Sequence, residues 1–181
     1  RIVRRIGRPD VARDVLEALM LHRGLRRRFD PLVEREARIA AEEVQADRRR
    51  RDLRSLTTFT IDPVTAKDFD DAISAEELPD GAIRVWVHIA DVAAYVKPGT
   101  ALDREAQRRA NSVYVPGLVE PMLPEALSNR ACSLLPHHDR PAVTVELEFE
   151  GANVRRTAFH RSVIRSDARL DYAPVDRIFA G

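Results

Sequence analysis

The chain has 181 residues, 44% hydrophobic and 33% charged, the balance of one globular domain or one domain with a small appendage. No apolar run reaches the roughly 18 residues of a membrane-spanning helix, and no signal or transit segment stands at the front, so no membrane role is expected. The single Cys132 excludes an internal disulfide framework and fits the reducing cytosol, and a chain starting at Arg1 rather than Met is expected to lack its native start. The formal net charge of +1 conceals a division. Residues 1–54 carry 16 Lys and Arg against 10 Asp and Glu, whereas residues 55–91 carry 2 against 8. A basic flank beside an acidic centre suits a polyanion held near cations.

Taken in order, Arg1 to Arg8 alternates basic and apolar residues like the last strand of a preceding β unit, without a partner. Pro9 to His22 reads as a helix with Val11, Val15, Leu19 and His22 on one face, widened by Leu16 and Met20 and ended by Gly24. Asp30 caps a second helix with Pro31 in its first position and Val33, Ala37, Ala40 and Val44 as its stripe. The run Arg48 to Arg51, with Arg54 one turn on, is either a solvated helix end or a phosphate contact.

From Leu56 the period changes to that of strands, and after Ile61 four carboxylates fall within ten residues: Asp62, Asp68, Asp70 and Asp71. Groups this close repel, and a divalent cation relieves the repulsion. Oxygen donors without His or Cys nearby in sequence point to Mg2+, Mn2+ or Ca2+ rather than zinc. An EF-hand is excluded, since its sixth and twelfth positions would be Lys67 and Ile73, or Ile73 and Pro79. The cluster suits a two-metal phosphoryl-transfer site, and Lys67 inside it reads as a neutralising residue.

A β-hairpin follows, Ile73 to Ala75 and Ile83 to Ala90 around Pro79-Asp80-Gly81, with Arg84, Trp86 and His88 opposite Ile83, Val85, Val87 and Ile89. His88 reads as a structural hydrogen-bonder and Asp91 as a capping or orienting residue. Thr100 caps a helix over residues 101–110, Tyr114 lies on a short strand, residues 116–124 form an irregular Pro-rich loop, and residues 125–130 a helical turn. Ala142 to Glu150 alternates, with Val143, Val145, Leu147 and Phe149 expected inward and Thr144, Glu146, Glu148 and Glu150 outward. Val154 to Ile164 returns beside it, with Arg155, Arg156, Arg161 and Arg165 expected opposite the glutamates, and a last helix starts near Ala173.

The segments Arg51-Asp52-Leu53-Arg54, Thr60-Ile61-Asp62-Pro63, Ala66-Lys67-Asp68-Phe69-Asp70-Asp71-Ala72 and Val87-His88-Ile89-Ala90-Asp91-Val92 together resemble the catalytic (RNB) domain of the ribonuclease II and ribonuclease R family. The likeness continues through Ser112-Val113-Tyr114-Val115-Pro116, Pro121-Met122-Leu123-Pro124 and Cys132-Ser133-Leu134. It implies an α+β fold, a mixed and mainly antiparallel sheet with flanking helices. It divides the chain into the remnant of an OB-type RNA-binding domain (1–8), a helical linker (9–54) and the N-terminal portion of the catalytic domain (55–181). The implied activity is 3′→5′ hydrolysis of single-stranded RNA to nucleoside 5′-monophosphates by a monomeric cytoplasmic enzyme using Mg2+, with Mn2+ as substitute. Position by position, Asp62 and Asp71 match ligands of the tightly held ion, Asp68 and Asp70 complete the site, and Asp70 matches the carboxylate most needed for catalysis. Tyr114 matches the aromatic beside the scissile end; Arg51 and Arg54 are RNA-contact candidates from the charge of the basic run alone. The family's downstream acidic residue, catalytic arginine and 3′-end stacking aromatics have no counterpart here. A catalytically inactive RNA-binding module and a cation-binding structural domain therefore stay open as alternatives.

Overall fold

Apolar residues recur at helical spacing as far as Glu43 and alternate from Phe59 onward, and the fold follows that change of period. A computed structural model of the chain describes residues 6–25, 28–43, 47 and 49–181. Helices α1 (Ala12–His22) and α2 (Pro31–Glu43) precede strands β1 (Arg51–Asp52), β2 (Phe59–Ile61), β3 (Asp71–Glu77) and β4 (Ile83–Ala90). Helix α3 (Ala101–Arg109), a hairpin of β5 (Val113–Val115) and β6 (Leu118–Glu120), long strands β7 (Asp139–Glu150) and β8 (Asn153–Arg165), β9 (Ala168–Leu170) and helix α4 (Tyr172–Ala180) complete it. Seven strands form one sheet in the order β1-β8-β7-β4-β3-β2-β9. All its pairs are antiparallel except β1 with β8 and β2 with β9. The architecture is the α+β one expected.

Two cores support it. Val33 and Ala37 of α2 pack with Tyr95, Leu102, Leu123, Leu127 and Cys132, and the α3 amide of Leu102 donates to Glu36 Oε2 of α2 at 2.8 Å. Under one face of the sheet, Leu53, Phe69, Trp86, Leu134 and Ile164 form the second. Asp30 caps α2 by accepting from the Leu32 amide at 2.8 Å, and Thr100 caps α3 by accepting from the Asp103 amide at 3.1 Å. Replacing Thr100 with Ala leaves that amide unpaired and is expected to lower stability by about 1 kcal/mol, read as a lower urea midpoint with an unchanged slope.

Some expectations change. In α1 the stripe through Val15 and Leu19 is exposed and Met20 points inward. The segment 116–124 is not wholly irregular, because Gly117, at φ 73°, turns the chain so that β6 pairs back onto β5. Ile6 to Arg8 form no strand, while Arg1–Arg5, Val44 and Arg48 lie outside the described residues.

The largest correction concerns β7, whose faces are reversed. Thr144, Glu146 and Glu148 are buried, whereas Val143 is exposed and Val145, Leu147 and Phe149 are only half-buried. Charge pairing is what makes the polar face the inner one. Glu146 accepts from Arg51 Nη1 at 2.7 Å and pairs with His160 Nε2 at 2.9 Å, and Glu148 accepts from Arg84 Nη2 at 2.7 Å and Arg155 Nε at 3.4 Å. Of the four β8 arginines expected opposite glutamates, Arg155 and Arg156 do pair with Glu148, while Arg161 pairs with Asp47 and Asp91 and Arg165 with Asp139. Beside these pairs a hydrogen-bonded chain crosses the sheet, Thr58 to Ser74 (2.7 Å), Ser74 to His88 Nε2 (3.0 Å), His88 Nδ1 to Thr144 (2.8 Å) and Thr144 to Ser162 (2.5 Å). On the opposite face the strand register lines up Ala168, Phe59, Ile73, Val87, Val145 and Phe159 in one apolar row, with Phe159 71% exposed.

Candidate metal centre

The acidic residues sit where β2 hands over to β3, at the β9 side of the sheet. Asp62 follows the last residue of β2 and its amide donates to Leu170 O of β9 at 3.1 Å, while Asp71 is the first residue of β3, paired with Ile89. Between them Pro63 starts a tight turn closed by the Ala66 amide at 2.9 Å. Arg169 supports that turn from outside, its Nη2 donating to the carbonyls of Pro63 and Val64 at 2.9 and 2.7 Å and its guanidinium 5.0 Å from the Phe69 ring. Phe69 is the apolar plug that orders the loop, since its ring joins the core beneath the sheet.

Four hydrogen bonds from two other segments fix the backbone around that plug. Ser133 Oγ accepts from the Phe69 amide at 3.0 Å and donates to Lys67 O at 3.1 Å; the Leu134 amide donates to Phe69 O at 2.9 Å and the Ala90 amide to Asp70 O at 2.8 Å. On either side of the buried Phe69, Asp68 is half-buried and Asp70 open to solvent. Tyr114 of β5 reaches across and its hydroxyl donates to Asp68 Oδ2.

Electrostatics ties the four aspartates together. Burial raises the Asp62 carboxyl above its ordinary range, reinforced by the charges of Asp71 and Asp68 against opposing contacts from Thr60 and Arg169. Asp70 is raised as well, first by loss of hydration among the surrounding atoms and then by Asp68, Asp71 and Asp62, although its surface stays open to solvent. Desolvation and the carboxylate of Asp68 push the Tyr114 phenol up to about 12, so it stays a donor at neutral pH while its ring remains 59% exposed.

Among the described residues no three Asp, Glu, His or Cys side chains converge closely enough to hold one ion. The donor set nonetheless fits a hard divalent cation. It consists of carboxylate oxygens, and Asp62 Oδ2 is buried without any hydrogen-bond partner, an orphan that a cation satisfies.

Arg51 and Arg54 are not gathered at this place. Arg51 lies on β1, four strand spacings from β3 or about 19 Å away, and donates to Glu146; Arg54 pairs with Asp52 at 2.6 Å and Asp139 at 2.9 Å. Arg50, from the same run, is only 4% exposed and pairs with Asp91 at 2.5 Å. Arg54, Arg50, Arg38, Arg130 and Arg140 line a concavity of about 800 Å³ that includes none of the four aspartates. Sequence reasoning gave no role to Ser133, Arg169 or the Arg50–Asp91 pair, although Cys132-Ser133-Leu134 stood among the family segments.

The family model for the RNB domain matches residues 50–181. The chain belongs to the RNB family. Ribonuclease R of Aquifex aeolicus is 40% identical over 175 residues, which are 95% of this chain and 25% of that protein. Ribonuclease R of Chlamydia trachomatis is 52% identical over 135 residues, 74% of this chain and 20% of that one. The structure of Mycoplasma genitalium RNase R in complex with ribose-methylated single-stranded RNA superposes with a TM-score of 0.86 at 33% identity, covering 97% of this chain and 28% of the other. The chain thus spans about a quarter of the length of these RNB relatives.

Proposed function

We propose that the chain carries the cation-binding centre of a 3′→5′ exoribonuclease that hydrolyses single-stranded RNA to nucleoside 5′-monophosphates. The observation that carries this reading is the acidic turn between β2 and β3. Four aspartates act on one another there, one of them with an orphaned buried oxygen, in a chain whose relatives include ribonuclease R. Residues 50–181 are then the N-terminal part of the catalytic domain, with β1 and Leu53 built into its sheet and core, and helices α1 and α2 a linker before it.

In this reading Asp62 and Asp71 hold the tighter Mg2+ ion, or Mn2+ in its place, and Asp68 and Asp70 complete the site. Bound there, divalent cations supply an activated water and offset charge on the departing 3′ oxygen. The protein's own work is positioning. The hydroxyl of Tyr114 holds Asp68 by a charge-assisted hydrogen bond and leaves the exposed ring free to stack on a terminal base. The network around Phe69 keeps the loop from opening under its own repulsion.

Because the family's catalytic arginine and 3′-end aromatics have no counterpart in this chain, the test is binding. The chain is expected to bind Mn2+ saturably in isothermal titration, and Asp62→Asn and Asp71→Asn to weaken that binding. An RNA-binding module without catalysis is the second reading, favoured by the lack of convergence of any three ligands among the described residues. RNA retained by a chain that binds no Mn2+ supports that module and overturns the first reading.

A further inference from the structure

We propose that Ser133 is a positioning residue that sets the cation affinity of the acidic turn, a proposal that rests on reading the four aspartates as cation ligands. Ser133 is wholly buried. Its single hydroxyl joins two backbone groups that flank Asp68, accepting from the Phe69 amide and donating to Lys67 O. Those two groups lie on either side of the residue whose carboxylate meets Tyr114, so the hydroxyl fixes the peptide planes that carry Asp68. The adjacent Leu134 amide bonds Phe69 O and so fixes the peptide leading into Asp70.

Ser133 is itself held. Arg140 donates through Nε to Ser133 O at 2.9 Å and through Nη2 to Arg130 O at 3.0 Å, tying the segment before β7 to the start of that strand. The acidic turn is thus braced against a fixed segment 64 to 66 residues away in sequence. Mutual repulsion among the aspartates pushes the turn apart, and affinity for a small cation depends on their spacing, because ligand distances tolerate only a few tenths of an ångström. The hydroxyl reaches both groups from within a closed core.

The test is Mn2+ binding by isothermal titration at a temperature where circular dichroism shows each protein folded. Ser133→Ala and Ser133→Cys are compared with the wild type, with Ser133→Thr, and with Thr100→Ala as a variant destabilised far from the turn. Cysteine keeps the size of the side chain and loses most of its hydrogen-bonding strength, so it serves if the alanine variant does not fold. The expected result is an affinity about tenfold weaker for Ala and Cys, within about threefold of wild type for Thr, and unchanged for Thr100→Ala. Equal loss in Thr100→Ala assigns the effect to general stability and overturns the proposal. So does unaltered affinity in the folded Ala or Cys variant. Absence of Mn2+ binding by the wild type removes the cation-site reading itself, and this proposal with it.

Discussion

Asp70→Asn is expected to raise the melting temperature of the metal-free chain while removing most of the stabilisation that Mn2+ gives the wild type. Loss of hydration and the charges of Asp68, Asp71 and Asp62 all hold the Asp70 carboxyl above its ordinary value. A carboxyl raised in the fold binds protons more tightly folded than unfolded, so its ionisation at neutral pH works against folding, and stability grows as pH falls through the raised value. An amide removes that charge and keeps the shape. Removing that charge sets the sign, a higher midpoint for the variant in EDTA, its size reduced by the solvent that reaches the exposed carboxylate. With Mn2+ the order reverses. A site filled at about a hundred times its dissociation constant stabilises by about 2.7 kcal/mol, or roughly 5 to 10 °C, and the variant forfeits most of this. In the proposed enzyme the same variant loses cleavage and retains RNA affinity, since the other carboxylates and Tyr114 stay in place. A metal-free midpoint below that of the wild type, or an undiminished Mn2+ shift, refutes the assignment of Asp70.

The strands could be read from the chain because alternation survives any tertiary context, and β4 and β7 fall where alternation places them. What alternation cannot supply is which face is turned inward. In β7 the apolar set Val143, Val145, Leu147 and Phe149 would ordinarily be the inner one. Here Arg84, Arg51 and Arg155 neutralise Glu146 and Glu148, His160 hydrogen-bonds Glu146, and His88 and the Ser162 hydroxyl partner Thr144, so the polar face closes instead. Those partners come from three other strands, and no local window contains them. The β5–β6 hairpin was missed for another reason. Three residues per strand are too few for a period, and Pro116 and Pro121 mask the turn at Gly117.

The site divides in the same way. Asp62, Asp68, Asp70 and Asp71 stand together in sequence, and their crowding alone signals unusual chemistry. Tyr114 entered only through family resemblance, and its hydroxyl does meet Asp68. Ser133 and Arg169 carry no local sign, because each acts on the turn's backbone from far along the chain. The arginine run misleads in its own way. Four basic residues suggest a solvated surface, yet Arg50 turns inward to Asp91 while Arg51 joins β1 and neutralises Glu146.

Lowering the pH from 7 to 5 is expected to remove about 2 kcal/mol of stability through His88 alone. The buried chain of hydroxyls fixes the state of its ring. Thr58 donates to Leu56 O, so it must accept from Ser74, which leaves Ser74 to accept from His88 Nε2–H. In the neutral ring Nδ1 accepts from Thr144 and Thr144 accepts from Ser162 at 2.5 Å, so the Ser162 proton is withheld from the longer contact to Ala142 O at 3.3 Å. The neutral Nε2–H tautomer gives both ring nitrogens and the four hydroxyls a partner. Burial pushes the ring down to about 4, from 6.5 in an unfolded chain. With a lowered value the unfolded state binds the proton first, so this stability is complete above about pH 6.5 and lost as pH falls toward 4. Its full extent is about 3 kcal/mol, of which about two thirds goes before pH 5, where ordinary carboxylates have scarcely begun to titrate. His88→Gln keeps a donor and an acceptor and cannot charge, so its stability at pH 7 is lower but its slope between pH 7 and 5 is shallower. Urea titrations at the two pH values for both proteins measure the difference. Parallel slopes would place the titration elsewhere, and a His88 that protonates without loss would mean that Thr144 and Ser162 reverse their donors to accept the second N–H.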